Sequence, residues 1–329
     1  MSGTSIEARS SGSGVGSRLY SIIMRQKALV AIGIMMVVMA FSGTQFYTAY
    51  NLLDMLNSTS ILLILSFGVT LTIIAGGCDL SIGGILVVSG ILSIKLQAFM
   101  PMELAIALAI LFGVLVGFVN GFLSVHQKTE PFIITLGMGL LLTGVAQQLT
   151  DAHPVPAKNP AFMMIGNGDF HGVPNLVIIM VVCFALAFWL MRYTQFGRNL
   201  YAIGGDYEVA RYSGIPVVRT KWLAFVISGG GAALAGFLLS SKLNTGSSIY
   251  GDLTALVVNC GVVVGGTSFA GGIGGIPQSA LGLLVFGMLD NVMNMLTIES
   301  YYQVLLKGVV IVAIIWLDCF AQKRKREFV

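Results

Sequence analysis

Charge is what this sequence has least of. Only 10% of its 329 residues are Asp, Glu, Lys or Arg, against roughly 25% in a soluble domain, so it cannot cover a water-facing surface with charge. Histidine and cysteine are scarcer still. His126, His153 and His171 form no HExxH, and Cys78, Cys183, Cys260 and Cys319 form no CxxC, which argues against a metal site and leaves the thiols as small packing groups. No GxxxxGK[ST] is present to cradle a triphosphate, and no GxGxxG sits in a βαβ context. A membrane hydrolase would need GxSxG or two aspartates on facing spans, and neither stands out. Ten-residue alternating strands are missing too, which excludes an outer-membrane barrel. The remaining charges flank apolar runs, so nucleic acid is not an expected partner.

What the chain has instead is apolar length. Hydrophobic residues make up 56% of it and mean hydropathy is +0.89. Stretches near twenty residues span a hydrocarbon core of ~30 Å, and ten can be drawn: 28–46, 59–75, 82–98, 103–125, 132–149, 174–191, 222–241, 252–268, 279–297 and 300–318. Several are short or broken by glycine, so the expectation is an all-α integral membrane protein, a polytopic bundle of about ten transmembrane helices (eight to ten). A flexible Gly/Ser-rich arm (1–24) is expected before the membrane domain (25–320) and a basic tail (321–329) after it. No cleavable signal peptide is expected, because the first apolar run is long enough to span.

The basic residues are placed asymmetrically. Arg18, Arg25 and Lys27 precede the first run, Lys323, Arg324, Lys325 and Arg326 follow the last, and Arg192, Arg198, Arg211, Arg219 and Lys221 fall in one loop. The connections assigned to the other side hold Lys158 and, at a span edge, Lys242. The positive-inside rule puts both termini and 192–221 in the cytoplasm.

Two loops have real size. In 150–173 three prolines argue against a regular helix, and Phe162, Met163, Met164 and Ile165 could lie along the membrane surface, either as a capped connector or as a ledge for an external partner. The loop 192–221 is more specific. Gly205 precedes Asp206, a good N-cap; Glu208 suits the positive end of the helix dipole and Arg211 the negative end. Gly214 supplies a left-handed stop, with Pro216 beyond it. The pattern predicts a helix over 207–213, too short to be stable alone, with Tyr207, Val209, Ala210 and Tyr212 as packing residues. It is a surface for another subunit or an internal cap.

The 41 glycines cluster at 76–84 ("GGCDLSIGG") and 265–275 ("GGTSFAGGIGG"). Small residues let helices approach closely, which fits Gly113, Gly117 and Gly121 and the run Gly229-Gly230-Gly231 through Gly236. Helix breaking better fits the two clusters. Asp79 would then cap the helix that follows it or touch substrate, since an unpaired carboxylate in a bilayer is costly. Asp290 and Lys307 fall at matched depth on antiparallel neighbours, about 12 Å from their hairpin, and would either pair or separate, with Lys307 snorkelling. Polar candidates for a translocation path are Asn57, Ser58, Thr59, Asp79, Asn120, Thr135, Asn259 and Asn294; each could equally be interhelical glue.

Four segments, "GGCDLSIGG" (76–84), "FGRNLYAIGGDYEVARYSGI" (196–215), "GGTSFAGG" (265–272) and "SYYQVLLKG" (300–308), occur in an order that resembles the permease subunits of ribose-type monosaccharide ATP-binding-cassette (ABC) importers. The resemblance runs from about residue 25 to 320. It implies import of a monosaccharide (ribose, xylose, allose or galactose type) across a bacterial inner membrane by a non-catalytic subunit without cofactors. It also implies a permease homodimer, two cytoplasmic ATP-binding subunits and a periplasmic sugar-binding protein. Cys78, where an aliphatic residue is usual, Asp290, where asparagine is expected, and the polar stretch 258–266 depart from the pattern and bear on substrate identity. A branched-chain amino-acid permease, which lacks the GGxDLS signature, is the nearest alternative; a self-sufficient secondary transporter is the next.

The charge asymmetry is testable in a background lacking the native cysteines. A membrane-impermeant thiol reagent added to sealed cells should label Lys158→Cys and miss Arg211→Cys; labelling of position 211 from outside would reverse the orientation.

Overall fold

The computed structural model describes residues 27–42, 44–127, 129–251 and 253–326. The arm at 1–24, Arg18 and Arg25 within it or beside it, and the side chains of the tail at 321–329 lie outside the described residues. Ten helices coincide with the ten apolar runs: α1 (Lys27–Ser42), α2 (Ala49–Ile74), α3 (Ile82–Lys95), α4 (Met102–Gly121), α5 (Pro131–Thr150), α7 (Asn175–Tyr193), α10 (Val217–Leu243), α11 (Thr254–Val264), α12 (Ile276–Met295) and α13 (Ser300–Arg326). Three more lie between them: α6 (Pro160–Asn167), α8 (Gln195–Gly205) and α9 (Tyr207–Tyr212).

Not all ten are spans of equal standing. Among the described residues six are long and apolar enough to cross a membrane: α2, α4 with its continuation to His126, α5, α7, α10 and α12. The segments 82–98 and 252–268, expected as spans, hold α3 with 14 residues and α11 with 11. At 1.5 Å per residue these reach only about 21 and about 17 Å, short of a ~30 Å core. The cause is in the sequence. One glycine cluster precedes α3 and the other follows α11, so the chain turns inside the protein at the start of one helix and the end of the other.

These two short helices are packed in the interior. Every residue of α11 from Val257 to Val264 is buried, and so is α3 from Ile82 to Ile91. Around them α4, α5 and α7 turn apolar faces outward, with Leu111, Leu115, Leu140, Leu141, Val181, Val182 and Leu186 exposed. Water-facing helices would bury those residues; lipid-facing helices need not.

At the centre runs α10, in contact with α2, α3 and α4. Lipid tails are as apolar as leucine, so helices associate here through close contact and hydrogen bonds rather than apolar burial. The small-residue pattern permits that contact. A methyl group built on Gly113 would stand 2.5 Å from the Gly229 carbonyl oxygen, and one on Gly229 would stand 2.2 Å from the Gly113 carbonyl oxygen. The backbones of α4 and α10 therefore touch, as the glycine spacing predicts.

The loop at 150–173 corrects one expectation. It does contain a helix, α6, because Pro160 sits in the first turn, where a missing N–H costs nothing, and Asn159 Oδ1 accepts from the Ala161 N–H at 3.0 Å. Phe162 is fully buried, whereas Met164 stays exposed, so one side of this segment is anchored in the protein. A two-residue strand, β1 (Val155–Pro156), pairs antiparallel with β4 (Thr245–Gly246) beyond α10, and β2 (Asp169–Phe170) forms a small hairpin with β3 (Val173–Pro174).

Candidate functional site

The first glycine cluster ends α2 and turns the chain through Gly76, whose φ is +73°. Asp79 follows, fully buried. Its Oδ1 accepts from the Ser81 N–H at 3.0 Å and the Ser81 hydroxyl at 2.6 Å. Its Oδ2 accepts from the Ser228 hydroxyl of α10 at 2.8 Å. All the recorded partners are donors, so both carboxyl oxygens are met as acceptors, and Asp79 stands one turn before α3. The carboxylate thus shapes the approach to α3 through Ser81; it does not cap the free amides inside the helix.

Other helices converge on the same few residues. Asn120 Nδ2, from α4, donates to Ser81 Oγ at 2.7 Å. Thr135 Oγ1, from α5, accepts from the Leu80 N–H at 3.0 Å and lies 3.2 Å from the Cys78 carbonyl. Asn259 Nδ2, from α11, donates to the Asp79 carbonyl at 3.0 Å. The Cys78 thiol donates to Asn259 Oδ1 at 3.1 Å, so this cysteine has a polar role that its sequence context did not suggest. Four of the path candidates, Asp79, Asn120, Thr135 and Asn259, are therefore one buried network that ties residues 78–81 to α4, α5, α10 and α11. Ser228 was not a candidate. The available signal was a lone hydroxyl directly before Gly229-Gly230-Gly231, where a neighbouring loop can come close.

The other candidates lie apart from this network. The Thr59 hydroxyl donates to the Met55 carbonyl of its own helix at 2.7 Å. Asn57 offers its backbone carbonyl to Lys242 Nζ at 3.2 Å, and its side-chain oxygen is buried with no partner. Ser58 is exposed. Asn294 Oδ1 accepts from Gln303 Nε2 at 2.9 Å. Along the same seam between α2 and α12, Asn51 and Asn291 exchange two amide hydrogen bonds, of 3.1 and 2.9 Å. Lys307 Nζ stands 2.7 Å from Asp290 Oδ1, with both side chains mostly withdrawn from the surface.

The loop between α7 and α10 forms the second site. Asp206 Oδ1 accepts from the Val209 N–H at 2.9 Å, and α9 runs Tyr207–Tyr212. Its C-terminus closes with the Ile215 N–H on the Ala210 carbonyl and the Gly214 N–H on the Arg211 carbonyl, both at 3.1 Å. Gly214 has φ +78°, which completes the left-handed cap that glycine makes easy. Ala210 is buried in a small cluster with Ile203 and Val217. Tyr207, Val209 and Tyr212 face outward, with Tyr212 84% exposed; of the four packing candidates only Ala210 is buried, and Lys221 Nζ stands 6.0 Å from the centre of the Tyr207 ring. Glu208 and Arg211 are 4.0 Å apart and mostly exposed, a pair of little energetic weight. Beside α9 a cavity of about 760 Å³ is lined by Ser124, Glu130, Tyr207, Arg211, Arg219 and Lys221, among others.

Behind α9, α8 reaches the second glycine cluster. The Tyr201 hydroxyl donates to the Gly274 carbonyl at 2.9 Å. Burial pushes this phenol above its usual range, with Arg192 opposing, so it remains a proton donor at neutral pH. Among the described residues no group of three or more His, Cys, Asp or Glu side chains could hold a metal.

Comparison with known proteins gives a consistent result. The family model described as "Branched-chain amino acid transport system / permease component" matches residues 51–315. The ribose import permease protein of Bacillus subtilis (strain 168) is 37% identical over 300 residues, covering 90% of this chain and 93% of that protein. The ribose import permease protein of Escherichia coli (strain K12) is 35% identical over 305 residues, with coverage of 90% and 94%. The L-arabinose transport system permease protein of the same strain is 32% identical over 325 residues, covering 98% and 99%. No solved structure matches this chain.

The 2.7 Å contact between Lys307 and Asp290 predicts a specific double-mutant outcome. Asp290→Asn leaves a half-buried ammonium without its partner and should cost about 1–3 kcal/mol, read as a lower thermal midpoint of the detergent-purified protein. Adding Lys307→Gln should recover part of that loss; additive losses would mean that the two groups act independently.

Proposed function

This chain belongs to the branched-chain amino acid transport system / permease component family, and on that premise we propose how it works as the translocation subunit of an ABC sugar importer. It is a multi-pass protein of the bacterial inner membrane. The relatives that span nearly its whole length are named for ribose and arabinose, so its cargo is a sugar and not a branched-chain amino acid. The proposed cargo is a monosaccharide of the ribose or arabinose type; xylose, allose and galactose fit the same chemistry. ABC importer permeases work with an ATPase and a binding protein and do no chemistry themselves. The proposed assembly has two copies of this chain, two cytoplasmic ATP-binding subunits and one external sugar-binding protein. Both termini are assigned to the cytoplasm, with about ten membrane-embedded helices in each copy.

One observation carries the coupling role. The helix α9 is capped at both ends, held by a buried alanine on its inner side, and left with Tyr207, Val209 and Tyr212 uncovered. A six-residue helix does not persist in water on its own stability, and exposed aromatics beside a cavity are the anchors that partner surfaces use. We assign Gly205 to Gly214, with Asp206, Glu208 and Arg211 among them, to docking the ATP-binding subunit. We assign the sugar path to the amide-rich seam of α2 and α12, where Asn57, Thr59 and Asn294 lie near the Asn51–Asn291 pair. Sugar hydroxyls need amide and hydroxyl partners, and the network around Asp79 has nearly all of its own groups already satisfied. The Asp290–Lys307 pair ties α12 to α13 beside that seam.

Gly214→Val tests the docking role. A β-branched residue in left-handed backbone costs roughly 1–2 kcal/mol, enough to fray α9 while the buried helices stay intact. The variant should insert normally. Sugar uptake with its ATPase and binding-protein partners should fall about tenfold, the factor that 1.4 kcal/mol corresponds to. Wild-type assembly and uptake in this variant would reduce the loop to a connector.

A further inference from the structure

The helix α8 lies directly before α9, and the two are locked together by a single residue. The Asp206 N–H donates to the Ala202 carbonyl and closes α8, while its carboxylate caps α9. Ile203 of α8, Ala210 of α9 and Val217 of α10 pack as one cluster. Any push on α9 therefore reaches α8.

The end of α8 then meets backbone. A methyl group built on Gly204 would stand 1.9 Å from the Ile74 carbonyl oxygen and 2.3 Å from the Gly272 nitrogen. The Gly272 N–H in turn donates to the Ile74 carbonyl at 3.0 Å. Ile74 is the last residue of α2, five positions before Asp79, and Gly272 belongs to the loop between α11, which carries Asn259, and α12. The second helix-breaking loop is thus hydrogen-bonded to the end of α2, directly before the first, at the point where α8 touches both. Tyr201, one turn earlier on α8, fastens the same loop through Gly274. The three nearest atoms to that methyl are all backbone, which cannot rotate aside as a side chain can, so displacement of α8 is passed on rather than absorbed.

We propose that Gly204, Ile74 and Gly272 form the junction through which movement of the docked helix α9 enters the membrane domain, with Gly204 and Tyr201 as positioning residues for coupled transport. This rests on the importer reading above. A push on α8 shifts the end of α2 and the 265–275 loop together. Through residues 75–79 and Asn259 it reaches both sides of the buried network, and through α12 it reaches the seam assigned to the sugar.

The test uses the whole assembly, the full-length chain in proteoliposomes with its ATPase and binding-protein partners, and reads sugar transported per ATP hydrolysed. Uptake by the wild-type assembly measures the importer reading itself, and the ratio of variant to wild type isolates the junction. Gly204→Ala should still recruit the ATPase and hydrolyse ATP, yet its transport per ATP should fall at least about fivefold, the low end of energetic coupling between distant sites. Tyr201→Phe keeps the ring and loses only one hydrogen bond, and should lower the ratio roughly twofold or more. Gly137→Ala, at an exposed position of α5 with nothing within 4 Å, should keep the wild-type ratio. If Gly204→Ala fails to insert, Tyr201→Phe decides. A wild-type ratio in Tyr201→Phe, or variants that lose assembly while the assembled fraction transports normally per ATP, would overturn the proposal.

Discussion

A buried carboxylate inside a membrane protein must be met by donors or by a cation. Among the described residues the close ion pairs are Arg211–Glu208 and Lys307–Asp290, so Asp79 is held by donors. Two serine hydroxyls and one amide satisfy it. That requirement has consequences well beyond the residue. The chain must leave helical geometry at 75–81 to bring the Ser81 amide round, which sets where α3 begins and limits its length. Ser228 must face inward on α10, and the glycines that follow it let α4 approach closely enough for Asn120 to reach Ser81. Hydrogen bonds of this kind are worth modest amounts singly, but here they share partners, and removing one leaves others buried and unsatisfied.

The two glycine clusters then have complementary duties. The first carries the carboxylate and joins α2 to α3; the second joins α11 to α12 and takes up the end of α8. Asn259, midway along α11, ties the helix that leads into the second cluster to Asp79 of the first, and the Gly272–Ile74 hydrogen bond ties the second cluster to the end of α2, just before the first. An importer permease has to be rigid enough to seal the bilayer and still respond to a partner at one face. Broken helices that meet through backbone contacts serve both needs, since they pack tightly and turn only at defined glycines.

Much of this was legible in the sequence, and the reason differs from element to element. Each apolar run falls on a helix among the described residues, and six of these are long and apolar enough to cross a membrane, because hydrocarbon thickness and helical rise leave such helices little freedom. The helix at 207–212 was legible to within a residue, since Asp206 and Gly214 have strong positional preferences with a known physical basis. What could not be read was depth and direction. Runs 82–98 and 252–268 look like spans by composition, yet both helices are packed in the interior and the second stops at Val264, before Gly265-Gly266. The prolines of 150–173 suggested an irregular loop, because one at 160 in the first turn of a helix looks the same as one that breaks it. Asn120, Thr135 and Asn259 were visible as polar residues on apolar helices, but nothing local indicated that they would meet at residues 78–81. That meeting is tertiary, and it separates them from Asn57, Thr59 and Asn294, which share their chemistry.

The central claim is that the Asp79 network holds the 76–81 loop in place. Amide hydrogen exchange across Gly76–Ser81 in Asp79→Asn tests it most directly. The substitution keeps size and replaces an acceptor with an amide that cannot receive both serine hydroxyls. The account predicts that protection of these amides collapses, by at least about tenfold for a loss of 1.4 kcal/mol, while α4 and α10 away from the network remain protected. Wild-type protection of Gly76–Ser81 in that variant would contradict it.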